Sequence, residues 1–263
     1  MKYYIGYAAI LLGAMTACGS LEAADMTSLL NPEAKPVETR SGWTFTFAPY
    51  FWGASMSGDM AQFGLPEVHV DASFGDIFEN LDFAMMAIGE ARYDRFSIFG
   101  DIMYTKLSND ADTPRGVIVN NVEVTSKTFA GLLGVGYSVL DGPDGRLDVV
   151  GGARLWSVDT NISFNGGILD GVSEDDSATW VDALAGIKGT YFFTQKVYLT
   201  GWGLVGGGGA DIDWDVMAGL GYKFNETISA VAGYRALGVN YRNDGFIFDA
   251  VQQGPILGLA IRF

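Results

Sequence analysis

An all-β fold, closed as an antiparallel transmembrane β-barrel of ten strands, is predicted by three features of the sequence. Composition is the first. Gly is 36 of 263 residues and aromatics are 13%, while charged residues are only 18%. Mean hydropathy is positive, yet beyond the N-terminus no apolar run reaches the roughly eighteen residues that a membrane helix needs. The second is a period of two: in ten segments, large apolar residues fall on one face and small or polar residues on the other. The third is the alternation of short turns with mostly longer loops, the pattern of barrels with short periplasmic and longer extracellular connections.

The elements follow in order. Lys2, the short apolar core Ile5–Met15 and the small residues Ala17, Gly19, Ala23 and Ala24 predict a cleaved export signal over 1–24. Cys18 is the only cysteine, so no disulfide or cysteine metal site is expected. It is either discarded with the signal or, after Met15-Thr16-Ala17, lipidated. Residues 25–41, with Pro32 and Pro36, read as a flexible periplasmic lead, and 42–263 as the barrel domain. The first strand is 42–48, with Trp43, Phe45 and Phe47 on one face. The others are 83–93, 96–108, 121–140, 146–158, 179–193, 196–209, 211–224, 227–241 and 248–263. Tight turns are expected at Asp94-Arg95, 141–145, Thr194-Gln195 and Asn225-Glu226. The remaining connections, 57–82, 109–120, 159–178, 209–211 and 242–247, belong to the opposite end. An even strand count puts both termini in the periplasm.

Segment 212–224 distinguishes a membrane barrel from a soluble sandwich. One face carries Ile212, Trp214, Val216, Ala218, Leu220, Tyr222 and Phe224; the other carries Asp211, Asp213, Asp215, Met217, Gly219, Gly221 and Lys223. A wholly apolar face bounded by aromatics suits lipid with its two aromatic girdles. Leu257, Leu259, Ile261 and the terminal Phe263 resemble the C-terminal assembly signal of outer-membrane barrels. Outer-membrane lipid and the barrel-assembly machinery are therefore the expected partners.

Trp202–Tyr222, Gly233–Leu237 and Gly254–Leu259, with Ala48–Trp52 and Phe74–Phe83, are similar to a functionally uncharacterised family of small Gram-negative outer-membrane β-barrel proteins of the porin-like, opacity-type superfamily. The resemblance covers nearly all of the mature chain. It implies fold and location in the bacterial outer membrane, and brings no catalytic residues.

The inward face predicts a lumen charge network of six acids and six bases: Glu90, Asp101, Asp148, Asp182, Asp213 and Asp215 against Arg92, Arg154, Lys188, Lys223, Arg235 and Arg262. Charges inside a barrel are costly unless paired, so a balanced set points to a network filling the bore rather than a sign-selective pore. A structural or surface-interaction role with a plugged lumen is expected; a narrow pore for small solutes is the alternative. The net charge of −15 argues against nucleic acid. The excess lies in 57–82 and 159–178, loops that contain acids and no Lys or Arg. A solvated rim explains them, and divalent cations or surface ligands are the functional alternative. The Asp-x-Asp-x-Asp-Gly order of a calcium loop is missing, so no metal or cofactor is expected.

Ser73 and Asp76, with Phe74, Phe78 and Leu81 at helical spacing, predict a short helix in the first loop, either plugging the mouth or lying at the interface. His69 is the single histidine, and Val68-His69-Val70-Asp71 would put it beside Asp71, the minimum for a remote hydrolase reading. No nucleophile motif accompanies it. Gly206–Gly209 lacks the Lys-Ser/Thr of a phosphate loop and reads as close strand packing. The expectation is no enzyme.

Overall fold

The computed structural model describes residues 42–112, 121–166 and 170–263. The export signal, Cys18 and the lead to residue 41 lie outside the described residues.

Ten strands close one antiparallel ring: β1 (Trp43–Trp52), β4 (Leu81–Tyr93), β5 (Phe96–Asp112), β6 (Asn121–Gly142), β7 (Gly145–Asn165), β8 (Val172–Phe192), β9 (Val197–Gly208), β10 (Ile212–Lys223), β11 (Ile228–Asn243) and β12 (Phe246–Arg262). β2 (Ser55–Ala61), β3 (Val68–Ala72) and helix α1 (Phe74–Glu79) occupy the connection between β1 and β4. The expected count of ten strands is met, with two further strands outside the ring.

The register sets the bore. Followed from partner to partner, the circuit runs Trp43, Tyr93, Phe96, Tyr137, Val149, Ile187, Gly203, Val216, Ala236, Gln253 and back to Ser55. One turn thus returns twelve residues further along the first strand. Ten strands with this stagger tilt by about 40° and enclose a backbone radius of about 10 Å.

Alternation holds around the wall. In β10, Ile212, Val216, Leu220 and Tyr222 are exposed outside, while Asp213, Asp215 and Met217 are buried inside. At the short-turn end, outward rings pair into a girdle: Trp43–Tyr93, Phe96–Tyr137, Tyr191–Phe193 and Tyr222–Phe224, with centroids 5.1–5.4 Å apart. Above it, Phe47, Ile98, Leu133, Val135, Val149, Val181, Ile187 and Leu257 are all 45% or more exposed. Only lipid stabilises so continuous an apolar belt.

The opposite end differs from the sequence expectation in three places. Most of stretch 159–178 is strand rather than loop: β7 and β8 remain paired as far as Phe164↔Val172, so Asp159, Glu174, Asp175 and Asp176 sit on a strand ladder. Their polar alternation was mistaken for loop composition, because a hairpin above the belt needs no apolar face. Stretch 57–82 likewise holds β2, β3 and α1. β2 continues β1 in unbroken register on β12, Trp52↔Ile256 and then Ser55↔Gln253, bridged by Gly53 N donating to Pro255 O at 2.9 Å. The β1–β4 ladder, by contrast, stops at Pro49↔Ala87, where proline supplies no N–H. The helix is present, with its capping box of Ser73 and Asp76, but it does not plug the mouth. Its Phe74 ring packs edge-on to the outward Phe51 at 5.9 Å.

Glycine is required in two places. Asp244 and Gly245 take φ of 46° and 87°, both left-handed, and close the β11–β12 hairpin. In the Gly206–Gly209 run, a Cβ on Gly206 would collide with the Ala183 carbonyl, and one on Gly209 with the Trp180 ring.

Candidate functional site

The inward side chains form three tiers. Nearest the short turns, β4 projects Glu90 and Arg92, β7 Asp148 and β8 Lys188. Arg92 donates to Glu90 (2.8 Å) and to Ser138 (3.0 Å) and forms an ion pair with Asp148; Lys188 reaches across to Glu90. Ser138 donates to Asp148 at 2.6 Å. Two acids and two bases balance here.

The central tier crosses the bore. Arg235 on β11 donates through Nη2 to Asp101 on β5 (2.7 Å) and to Asp215 on β10 (2.6 Å), and through Nη1 to Tyr50 (2.8 Å). Arg154 on β7 takes Asp213 and Asp215, both at 2.6 Å. Indoles supply the remaining donors: Trp202 to Asp215 and Trp156 to Asp213, each at 2.9 Å. Arg235, Asp213 and Asp215 are 0% exposed and Arg154 1%. The Arg235 guanidinium also lies 5.1 Å from the Trp52 ring centroid and 5.3 Å from that of Trp202. Asp182, 0% exposed, is satisfied by Trp180 Nε1 (3.0 Å) and Ala210 N (2.8 Å).

An aromatic tier lies beyond. Trp180 stacks on Tyr241 with centroids 4.0 Å apart and on Trp156 at 5.8 Å, and Phe248 tilts against both indoles. Above this, the β2–β3 connection reaches over to β8, where Phe63 N donates to the Asp176 carboxylate.

Toward the short turns a cavity of about 450 Å³ opens, walled by Phe99, Leu132, Val150, Leu204, Met217 and Ile256. The last two charges stand among its lining: Lys223, with its ammonium 4.2 Å from the Phe192 ring centroid, and Arg262. All twelve lumen residues therefore face the bore, but their balance is not level by level. The central tier holds four acids and two bases, and the two remaining cations stand at the mouth.

Sequence reasoning missed Tyr50, Ser138, Trp156, Trp180 and Trp202 as network members. Ser138, Trp156, Trp180 and Trp202 lie at inward parity on their strands, and Tyr50 lies beyond the 42–48 bounds expected for the first; what a period of two cannot convey is that an indole or phenol reaches a carboxylate on another strand. His69 was assigned the wrong partner. Its Nδ1 lies 2.7 Å from Asp59, its cross-strand neighbour on β2, rather than bonding Asp71. Outside the barrel wall, Asp76 accepts from Ser73 Oγ (2.6 Å) and Ser73 N (2.9 Å), which holds its carboxyl below the usual carboxylate range.

No protein-family model matches the chain, and no curated protein sequence matches it. Solved structures do. The outer membrane protease OmpT from Escherichia coli is 12% identical, covering 85% of this chain and 98% of its own, with a TM-score of 0.50. The translocator domain of autotransporter NalP from Neisseria meningitidis is 16% identical over 86% and 90%, with a TM-score of 0.46. Ail, the attachment invasion locus protein of Yersinia pestis, is 13% identical over 85% and 99%, with a TM-score of 0.35. At such identities the likeness concerns the fold and brings no activity with it. A ring of ten antiparallel strands, an apolar outer belt with an aromatic girdle and the match to OmpT together make this chain a small outer-membrane-type β-barrel.

Proposed function

We propose that the chain is an exported bacterial outer-membrane barrel whose lumen is plugged by its own side chains and whose working surface is its outer hairpins. Its short turns then face the periplasm, and its role is structural or surface interaction. One observation carries this reading: the bonded path Asp101–Arg235–Asp215–Arg154 joins β5 to β7 through β11 and β10, across the bore, with its guanidinium groups 0–1% exposed. Ions in transit need a wet path, and buried groups that already satisfy one another leave no unpaired site for a passing solute. The acidic β7–β8 hairpin stands clear of the belt, since 21-residue strands exceed the roughly nine to eleven needed to cross.

The test is single-channel current across a planar bilayer, after a heat-dependent gel shift confirms folding. A silent bilayer is expected. Steady, reproducible conductance would overturn the plug and favour a narrow pore, the second reading, which the cavity of about 450 Å³ supports. The hydrolase reading keeps only a base and its orienter, His69 and Asp59, on a hairpin where both are exposed. Among the described residues no hydroxyl or thiol is hydrogen-bonded to His69, and wild type and His69→Ala should both lack hydrolytic activity.

A further inference from the structure

The cavity below the central tier is amphipathic in a definite order. Its depth is apolar, formed by Phe99, Leu132, Val150, Leu204, Met217 and Ile256. Five of its lining carboxylates are ion-paired, Glu90 with Arg92 and Lys188, Asp148 with Arg92, Asp141 with Arg146, and Asp101 and Asp215 with Arg235, while Glu226 is a sixth carboxylate in the lining. Its mouth carries Arg262, which has no ion-pair partner among the described residues, beside Lys223. The volume of about 450 Å³ lies within the range of small-molecule sites, about 300–1,000 Å³. From Arg262 to Ile256 the wall extends about 20 Å along the strand, or about 15 Å along the axis after tilt. That suits one medium-length alkyl chain. The outer end is closed to it, because the Arg235 and Arg154 tier forms the roof.

We infer that this vestibule binds a single-chain anionic amphipath from the periplasmic side, alkyl chain inward and anion at Arg262. The inference rests on the plugged lumen proposed above, since an open bore would present a channel rather than a pocket. Burying the chain supplies affinity, and a charge-assisted contact at the mouth selects the head group.

Trp202 lines the cavity and is the reporter, while Trp43 and Trp214 face outward. The refolded barrel in phosphatidylcholine vesicles is titrated with bromododecanoate, whose bromine quenches indole fluorescence on contact. Saturable quenching is expected. Ala48→Phe and Val231→Phe, which fill the cavity, should abolish the saturable part; Arg262→Gln should weaken it about tenfold, as loss of one charge-assisted contact implies. Equal quenching in both filled variants would assign the signal to the lipid-facing tryptophans and overturn the site. Equal potency of bromododecyl-trimethylammonium would overturn the anionic head group. If neither filled variant folds, wild type decides: excess unbrominated dodecanoate must relieve the quenching and dodecyltrimethylammonium must not. Conductance reads the plug and quenching reads the pocket, so the two proposals fail separately.

Discussion

Replacing Arg235 by Met tests the central tier most directly. Met has similar length and no charge, so packing beneath the Trp52 and Trp202 rings is largely kept while every hydrogen bond from the guanidinium is lost. Asp215 retains Arg154 at 2.6 Å and Trp202 at 2.9 Å. Asp101 does not fare as well: it loses its cation and keeps only the Tyr50 hydroxyl at 2.8 Å. Breaking a buried pair by removing one partner costs about 3–5 kcal/mol, since the other charge stays buried. The prediction is that Arg235→Met lowers unfolding stability by about that amount, measured as urea midpoints in lipid vesicles with the unfolding slope unchanged. Adding Asp101→Asn removes the stranded charge and should recover about 1–3 kcal/mol, a coupling read by the double-mutant cycle. A single variant within about 0.5 kcal/mol of wild type, the range of an ordinary surface substitution, would refute the argument that this tier is a satisfied ionic network.

Three further outcomes follow from other parts of the molecule. The Asp76 carboxyl sits below its ordinary value, so its contribution to α1 is fully present above the unfolded pKa of about 3.9 and fades as pH falls through the lower folded value. Protection of the Ile77 amide, which donates to Ser73 O at 3.1 Å, should accordingly hold from neutral pH down to about 4, and Ser73→Ala should reduce it throughout. Asp176→Ala removes the acceptor for Phe63 N; limited proteolysis near Phe63 and Leu65 should accelerate while the heat-dependent gel shift is retained. Phe263 is 74% exposed and its backbone N–H, not its ring, bonds Phe45 O at 2.8 Å. Phe263→Ala should therefore shift the stability of refolded protein by less than about 1 kcal/mol, read from urea midpoints in lipid vesicles.

What the sequence discloses depends on whether a residue answers to the period of the strand. Along β10, alternation alone separates Val216 and Leu220 from Asp213 and Asp215, because belt and bore differ in polarity at every step. The same logic puts all twelve charged residues in the lumen. It fails where both strand faces meet water. Above the belt, Ser173, Glu174, Asp175 and Asp176 have no apolar side to reveal the ladder they form with Thr160–Ser163, and so they read as loop. Pairing is lost for a further reason. Charge counts balance over the twelve lumen residues, but Arg262 and Lys223 stand at the mouth while Asp182 is satisfied by an indole and a backbone N–H. His69 went to Asp71 on sequence proximity, whereas its neighbour across the β2–β3 ladder, Asp59, is the closer group.

The barrel's dimensions explain why ions rather than aliphatic side chains form the roof of the cavity. With ten strands and a twelve-residue stagger, the axis lies about 10 Å from the backbone. Leucine and valine from the wall stop well short of that distance, which is why Leu132, Val150, Leu184 and Leu204 cluster along one side instead of meeting partners across the bore. Arginine and tryptophan are long enough to span it. Each brings polar hydrogens that the interior must satisfy, so each requires a carboxylate or carbonyl opposite. Asp101, Asp213 and Asp215 meet that demand for Arg154, Arg235, Trp156 and Trp202. Below this tier several inward positions are small, Ala48, Gly258 and Ala260 among them, too short to reach the axis, and the bore stays open there as the cavity. The same geometry that requires an ionic roof leaves an empty vestibule beneath it. Lengthening one wall residue, as in Ala48→Phe, should then change the pocket without touching the roof, and measured stability should separate the two.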